Sequence, residues 1–242
     1  MGSPTSQVEL QPAYILHNHA YAESSVLLDV FTRDFGRVSL IAKGAKRPRS
    51  SFRGILQAFQ PLLISWRGKG QVHTLVHAEI DSSLNTLPAK TMMSAFYLNE
   101  LVMRLCHQGE AMDTVFSRYG DSILALSNPD VAIEAILRSF EKVLISELGY
   151  QLVLHNDAES GEVIQSQNYY RYVPDKGPVQ VSSDSVQGLV ITGESLLALQ
   201  SDSYDNPRCL KDIKRLMRFV LTPLLGHKPL RSRELYRALQ RN

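Results

Sequence analysis

The chain has 242 residues, of which 44% are hydrophobic and 21% charged, proportions that bury a core and exclude a disordered polymer. Its longest apolar runs, such as Pro61-Leu62-Leu63-Ile64, are far too short to cross a bilayer, so no membrane association is expected. The net charge of +2 conceals a strong division: residues 1–80 carry nine Lys and Arg against five Asp and Glu, residues 81–206 seven against seventeen, and residues 207–242 ten against two. Two basic ends around an acidic middle point to a polyanion partner, because phosphate binding depends on local rather than net charge.

Residues 1–12 read as a flexible polar leader without the apolar core of a signal peptide, although Met1-Gly2 and Ser6 fit the loose myristoylation pattern. From residue 13 to residue 82 the pattern is β. Tyr14-Ile15-Leu16 opens a strand, Ser25–Thr32 is a β-branched and aromatic run, Gly36 supplies a turn, and Arg37–Lys43 pairs back. Leu62–Arg67, a Gly68-Lys69-Gly70 turn and Gln71–Ile80 complete five strands, the number of a small closed barrel, with an OB-fold as the usual candidate and an SH3-like barrel giving a similar pattern. The remainder, 83–242, reads as a mainly helical domain. Met92, Met93, Phe96, Tyr97, Leu98, Leu101, Val102 and Leu105 recur at helical spacing, and a second helix spans Met112 to Leu126. Asn128 and Pro129 predict the N-cap and first position of a third helix over Val131–Leu148, ending at Gly149. Residues 155–192 form a loop-rich insertion with a short hairpin at Tyr169–Val173, after which helices resume at Glu194–Gln200, Pro207–Leu225 and Ser232–Leu239. The fold class is α+β multidomain: a five-stranded barrel, then a helical domain with a hairpin insertion.

The densest chemistry lies between two barrel strands, where Lys43, Lys46, Arg47, Arg49 and Arg53 place five cations within eleven residues alongside Gly44 and Pro48. Such a loop follows a phosphate backbone and releases counterions. Arg37, Arg67 and Lys69 on the adjoining strands and turn extend this candidate polyanion-binding set, and Phe35, Phe52 and Trp66 are candidates either for base stacking or for the barrel core. A second cluster joins Arg208, Lys211, Lys214, Arg215 and Arg218 to Lys228, Arg231, Arg233, Arg237 and Arg241. Lys214, Arg215 and Arg218 share a helix face with Lys211 opposite a stripe of Leu210, Ile213, Met217, Val220 and Leu221, and this face is either a solvated one or a second nucleic-acid or acidic-peptide surface.

Catalytic motifs are missing: there is no Gly-x-Ser-x-Gly, no phosphate-binding Gly-x-x-x-x-Gly-Lys-Ser and no His-Glu-x-x-His. His17 and His19 share a strand face by their even spacing, as do His73 and His77, but no carboxylate or cysteine nearby completes a metal set. They read as barrel-surface histidines. Cys106 and Cys209 stand about a hundred residues apart with no Cys-x-x-Cys pair, and read as reduced, buried thiols of a cytoplasmic protein. The expectation is a binding protein rather than an enzyme, with no cofactor. A protein-only adaptor, an RNA-binding OB protein and a metal-dependent hydrolase remain as other readings of the same residues.

The run Glu23–Thr32 followed by Gly36–Ala45, the block Leu56–Leu63, the helix segment Phe96–Leu101 and the closing Gly226–Leu235 together resemble the bacterial RecO family of DNA repair proteins. The resemblance implies an N-terminal OB-fold, binding of single- and double-stranded DNA, annealing of complementary strands and loading of the RecA recombinase, at the bacterial nucleoid. It also implies two protein partners: RecR, on the barrel domain, and the acidic, apolar C-terminal tail of single-stranded DNA-binding protein, on the helical domain. Arg138 matches the family's tail-binding arginine best, with Lys142 one turn on, and an ion pair of Arg138 with Glu134 or Glu141 is the alternative. Many family members carry a four-cysteine zinc cluster at the segment matching 155–172. Here that segment has no cysteine, so packing by Tyr169, Tyr170 and Tyr172 is expected to hold the hairpin instead.

Overall fold

A computed structural model of the chain describes residues 6–84, 86–183 and 187–239; residues 1–5 of the expected leader and Arg241 of the second basic cluster lie outside them. In chain order the elements are strands β1 (Ser6–Tyr21), β2 (Ser25–Thr32), β3 (Gly36–Ala42), β4 (Leu62–Gly68) and β5 (Val72–Ile80), then helices α1 (Ala89–Leu105), α2 (Asp113–Leu126) and α3 (Ile133–Glu147). Strands β6 (Tyr169–Val173), β7 (Gly177–Val181) and β8 (Val190–Thr192) precede helices α4 (Gly193–Gln200), α5 (Pro207–Leu225) and α6 (Arg231–Leu239). The chain forms two compact units, one running to Val131 and resuming at Leu230, the other spanning Ala132–Pro229.

In the first unit β1–β5 close into a barrel of order β1-β2-β3-β5-β4, the five-stranded OB-fold arrangement, with β3 and β5 joined in parallel and the other seams antiparallel. Ala13, Ile15, Leu28, Val30, Leu40, Leu62, Ile64, Trp66, Leu75 and Ala78 fill it. The expectation of a leader over residues 1–12 fails at residues 6–12. Residues 6–12 are already strand, with Val8 opposite Trp66 and Gln11 opposite Ile64, because β4 would otherwise present an open edge. A bulge between Val8 and Gln11 puts Leu10 at φ 45°, and its N–H is satisfied by Ser65 Oγ at 3.0 Å.

The boundary expected at residues 82/83 does not separate the compact units, because α1, α2 and α6 belong with the barrel. Asn99 of α1 donates to the Leu16 carbonyl at 2.9 Å and accepts from the Tyr119 hydroxyl at 2.5 Å. Gly36 has φ 58° and lies so close to the backbone at Glu110 that a Cβ there would sit 1.9 Å from its carbonyl oxygen, so no other residue fits. Glu100 of α1 accepts from the Arg231 and Ser232 N–H groups at 2.8 and 2.9 Å, and so caps α6 from a distant helix. Met92 and Phe96, expected on the buried face of α1, are exposed.

In the second unit α3 starts at Ile133, two residues later than expected. Asn128 caps nothing: its side chain accepts from the Asp130 N–H at 2.9 Å in a local turn. The other end is as expected, with Gly149 at φ 85° and paired Gly149 N–H to Ser146 O and Tyr150 N–H to Ile145 O bonds forming a Schellman cap. The insertion holds more order than a hairpin: β8 joins it as a third strand, in the order β7-β6-β8. Helix α5 buries Ile213, Met217 and Leu221 as expected, together with Cys209 and Leu216, while Leu210 and Val220 are half-buried.

Candidate nucleic-acid interface

Residues 43–55 wind through successive turns: the Arg47 N–H meets Gly44 O, Ser50 meets Arg47 O, Arg53 meets Ser50 O and Ile55 meets Phe52 O. The loop is anchored at both ends. The Lys46 N–H donates to Ser24 O in the β1–β2 turn, and Phe52, Ile55 and Leu56 pack on the barrel core. Anchoring the apolar side chains turns the basic ones outward: Lys43, Lys46, Arg47, Arg49 and Arg53 are all exposed, and none of them makes an ion pair among the described residues. Lys46 Nζ and Arg53 Nη1 reach only backbone carbonyls, those of Ala22 and Pro48. Arg67 is exposed on β4 at the same level of the barrel, since it lies opposite Thr74 and Thr74 opposite Ile41; Lys69 is exposed in the following turn.

Arg37 does not belong to this set. Its Nη1 donates to the carbonyls of Met103 at 2.5 Å and Cys106 at 3.0 Å, closing the C-terminal end of α1, and partial burial lowers its pKa. Of the stacking candidates, Trp66 is a core residue at 2% exposure, Phe52 is half-buried against the core, and Phe35 is exposed but rests edge-on against Trp66 at 5.3 Å between ring centroids.

The second basic cluster is occupied in part. Lys214 pairs with Glu134, and Arg215 with Asp212 at 3.1 Å, whereas Lys211 and Arg218 are exposed and make no ion pair among the described residues. On α6, Arg233 lies over the Tyr97 ring at 5.4 Å and donates to its hydroxyl, while the Arg231 side chain is exposed.

Arg138 is buried rather than held at an exposed rim. It is 3% exposed and its Nη1 lies 2.9 Å from a carboxylate oxygen of the fully buried Glu141, with Glu134 further off at 3.8 Å. Lys142 is half-buried and spends its donors on the carbonyls of Leu199 and Gln200 and on Asp202. Both cations expected to grip a peptide carboxylate therefore already have carboxylate partners inside the fold.

The insertion lacks the thiolates a zinc cluster needs, and its joint is a carboxylate that sequence reading passed over. Asp157 Oδ1 accepts from the N–H groups of Glu159 and Ser160 at 2.8 and 2.7 Å, and Oδ2 from the Gln180 N–H on β7 at 2.5 Å. Burial pushes its pKa up, but these bonds outweigh burial and hold it below the usual carboxylate range. The Tyr170 hydroxyl accepts from the Gln165 N–H, and burial raises the Tyr172 phenol to about 12; Tyr169 is exposed.

The histidine pairs do not meet. β1 and β5 are not neighbours in the barrel, and a bulge opposite Ser65 and Trp66 puts Leu75 and Ala78 both inside, so His73 and His77 lose their common face. His17 and His19 do lie together, at 4.0 Å between ring centroids, with Asp29 directly across from His17 on β2. Burial and then its neighbour His19 lower the pKa of His17, with Asp29 acting in the opposite sense.

Two family descriptions match the chain: "Recombination protein O N terminal" over residues 7–84 and "Recombination protein O C terminal" over residues 89–234. The chain is 40% identical over 237 residues to the DNA repair protein RecO of Dechloromonas aromatica, covering 97% of this chain and 98% of the relative. It is 41% identical over 235 residues to that of Nitrosococcus oceani, covering 97% and 95%.

Proposed function

Because the chain belongs to the RecO family of DNA repair and recombination proteins, we propose that it anneals complementary DNA strands and does so without catalysing a covalent step. The observation that carries this reading is the anchored loop of five exposed cations free of ion pairs among the described residues. Two strands approaching each other repel through their phosphates, and cations held outward on a fixed loop lower that repulsion while leaving the bases free to pair. Arg67 and Lys69 extend the track along the barrel, and contact with phosphate and sugar suits a sequence-independent task. Contact with the tail of single-stranded DNA-binding protein brings the annealer to coated strands, and RecR joins it on the barrel in loading RecA. The half-occupied cluster on α5 is the lesser DNA contact.

The test is annealing of labelled complementary strands coated with single-stranded DNA-binding protein. The protein is expected to accelerate pairing, a triple variant Lys46→Glu, Arg47→Glu, Arg49→Glu to lose most of that acceleration, and removal of the coating protein's tail to abolish it on coated strands only. Failure of the unaltered protein to accelerate pairing of bare strands defeats the proposal.

A further inference from the structure

His17, His19 and Asp29 are the one group of three potential metal ligands found among the described residues, with ligand atoms all within 4.8 Å of one another. We infer that these three side chains form a binding site for a divalent transition-metal ion of the Zn²⁺ class on the outer wall of the barrel.

The backbone builds this cluster. In an unbroken strand His17 would point inward with Ala13 and Ile15, since side chains alternate. The register passes from Ile15 opposite Val30 to His17 opposite Asp29, leaving Leu16 as an extra residue. Ile15 and Leu16 are consequently both buried, and His17 and His19 both emerge. The bulge is held in place, because the Leu16 carbonyl accepts from Asn99. On β2, Asp29 sits between the inward Leu28 and Val30 and so faces the same outer surface, with Oδ2 3.5 Å from His19 Nε2.

The carboxylate is also oriented from behind. Its other oxygen, Oδ1, lies 3.4 Å from Ser39 Oγ, and that hydroxyl accepts from Gln108 Nε2 at 3.1 Å. Outer hydrogen bonds of this kind fix the direction of a ligating carboxylate. Two imidazole nitrogens and one carboxylate oxygen favour a borderline ion over Mg²⁺ or Ca²⁺, which prefer oxygen alone. The exposure of His17 and His19 leaves at least one coordination position to solvent. The charges of Arg231 near His17 and of Arg37 near Asp29 oppose a cation, so the ion is exchangeable and the barrel does not need it to fold.

The full chain, freed of metal by chelation, is titrated with Co²⁺ and followed by its visible d–d absorption, then competed with Zn²⁺. One equivalent is expected to bind, with His17→Ala and His19→Ala each weakening binding at least about tenfold, and Ser39→Ala by about 10-fold or more through loss of the outer hydrogen bond. Unfolding midpoints in chelator are expected to match the unaltered protein, and Asp29→Asn serves as the conservative variant should either alanine fail to fold. Absence of a saturable Co²⁺ signal, or a signal unchanged in all of these variants, overturns the assignment.

Discussion

Arg138 and Glu141 form the most consequential side-chain pair in the helical unit, at 3% and 0% exposure. Taking both charges out of water is costly, and the 2.9 Å contact between them offsets that cost only while both are present. Removing the arginine alone takes the opposing charge away from a buried carboxylate. Arg138→Ala is expected to destabilise the protein by about 3–5 kcal/mol, whereas the double replacement Arg138→Met with Glu141→Leu recovers most of the loss. Urea denaturation of the single and double variants checks this. A direct role for Arg138 in gripping a peptide tail predicts the opposite pattern: tail affinity falls with stability intact. The spacing Glu134, Arg138, Glu141 was legible as a pairing option in the sequence, but its depth was not, because burial of that helix face depends on Leu199 and Tyr204 chain segments sixty residues away and not on α3 itself.

Among the elements, the insertion shows how a single carboxylate takes over a joint. Asp157 ties the turn at 158–161 to strand β7, through N–H donors that no local pattern advertises. Its pKa is depressed in the folded chain, so the stabilisation it gives is complete above its ordinary, unfolded pKa and is lost as pH falls through the lower, folded value. Asp157→Asn is expected to cost about 2 kcal/mol near pH 7, with the gap in melting temperature from the unaltered protein narrowing toward about pH 3. A gap that does not change with pH would contradict this. The five strands and most of the helices were legible because hydrophobic periodicity reports burial directly, and the Schellman cap at Gly149 because glycine reports its own backbone. Three things were not. The bulges at Leu16 and opposite Ser65 re-aim His17, His19 and His77, and sequence parity has no signal for them. The strand before residue 13 exists because β4 needs a partner, not because residues 6–12 alternate. Asn128 and Pro129 carry the composition of a helix start, yet the local turn to Asp130 takes the cap.

At the scale of the molecule, the charge division of the sequence survives as two basic surfaces of unequal availability. The loop after β3 offers five exposed cations, but α5 offers three, Arg208, Lys211 and Arg218, because Lys214 and Arg215 are committed to Glu134 and Asp212. A raw count of Lys and Arg hides this difference, since the partners lie as far as eighty residues away along the chain. Salt dependence measures it. Each single-strand phosphate neutralised contributes about 0.7 to the slope of log affinity against log salt, so reversing Lys46, Arg47 and Arg49 is expected to flatten that slope by about 2. Reversing Lys211 and Arg218 flattens it by about 1 if both touch DNA, while reversing Lys214 and Arg215 changes it little and instead destabilises the helical unit. Fluorescence-anisotropy titrations of a labelled oligonucleotide at a series of salt concentrations give all three slopes. Equal flattening by the α5 pairs would mean that Glu134 and Asp212 release their partners to the phosphates when DNA arrives, and the two surfaces would then rank as equals. A slope that stays unchanged in the loop variant would remove the loop as the binding surface altogether.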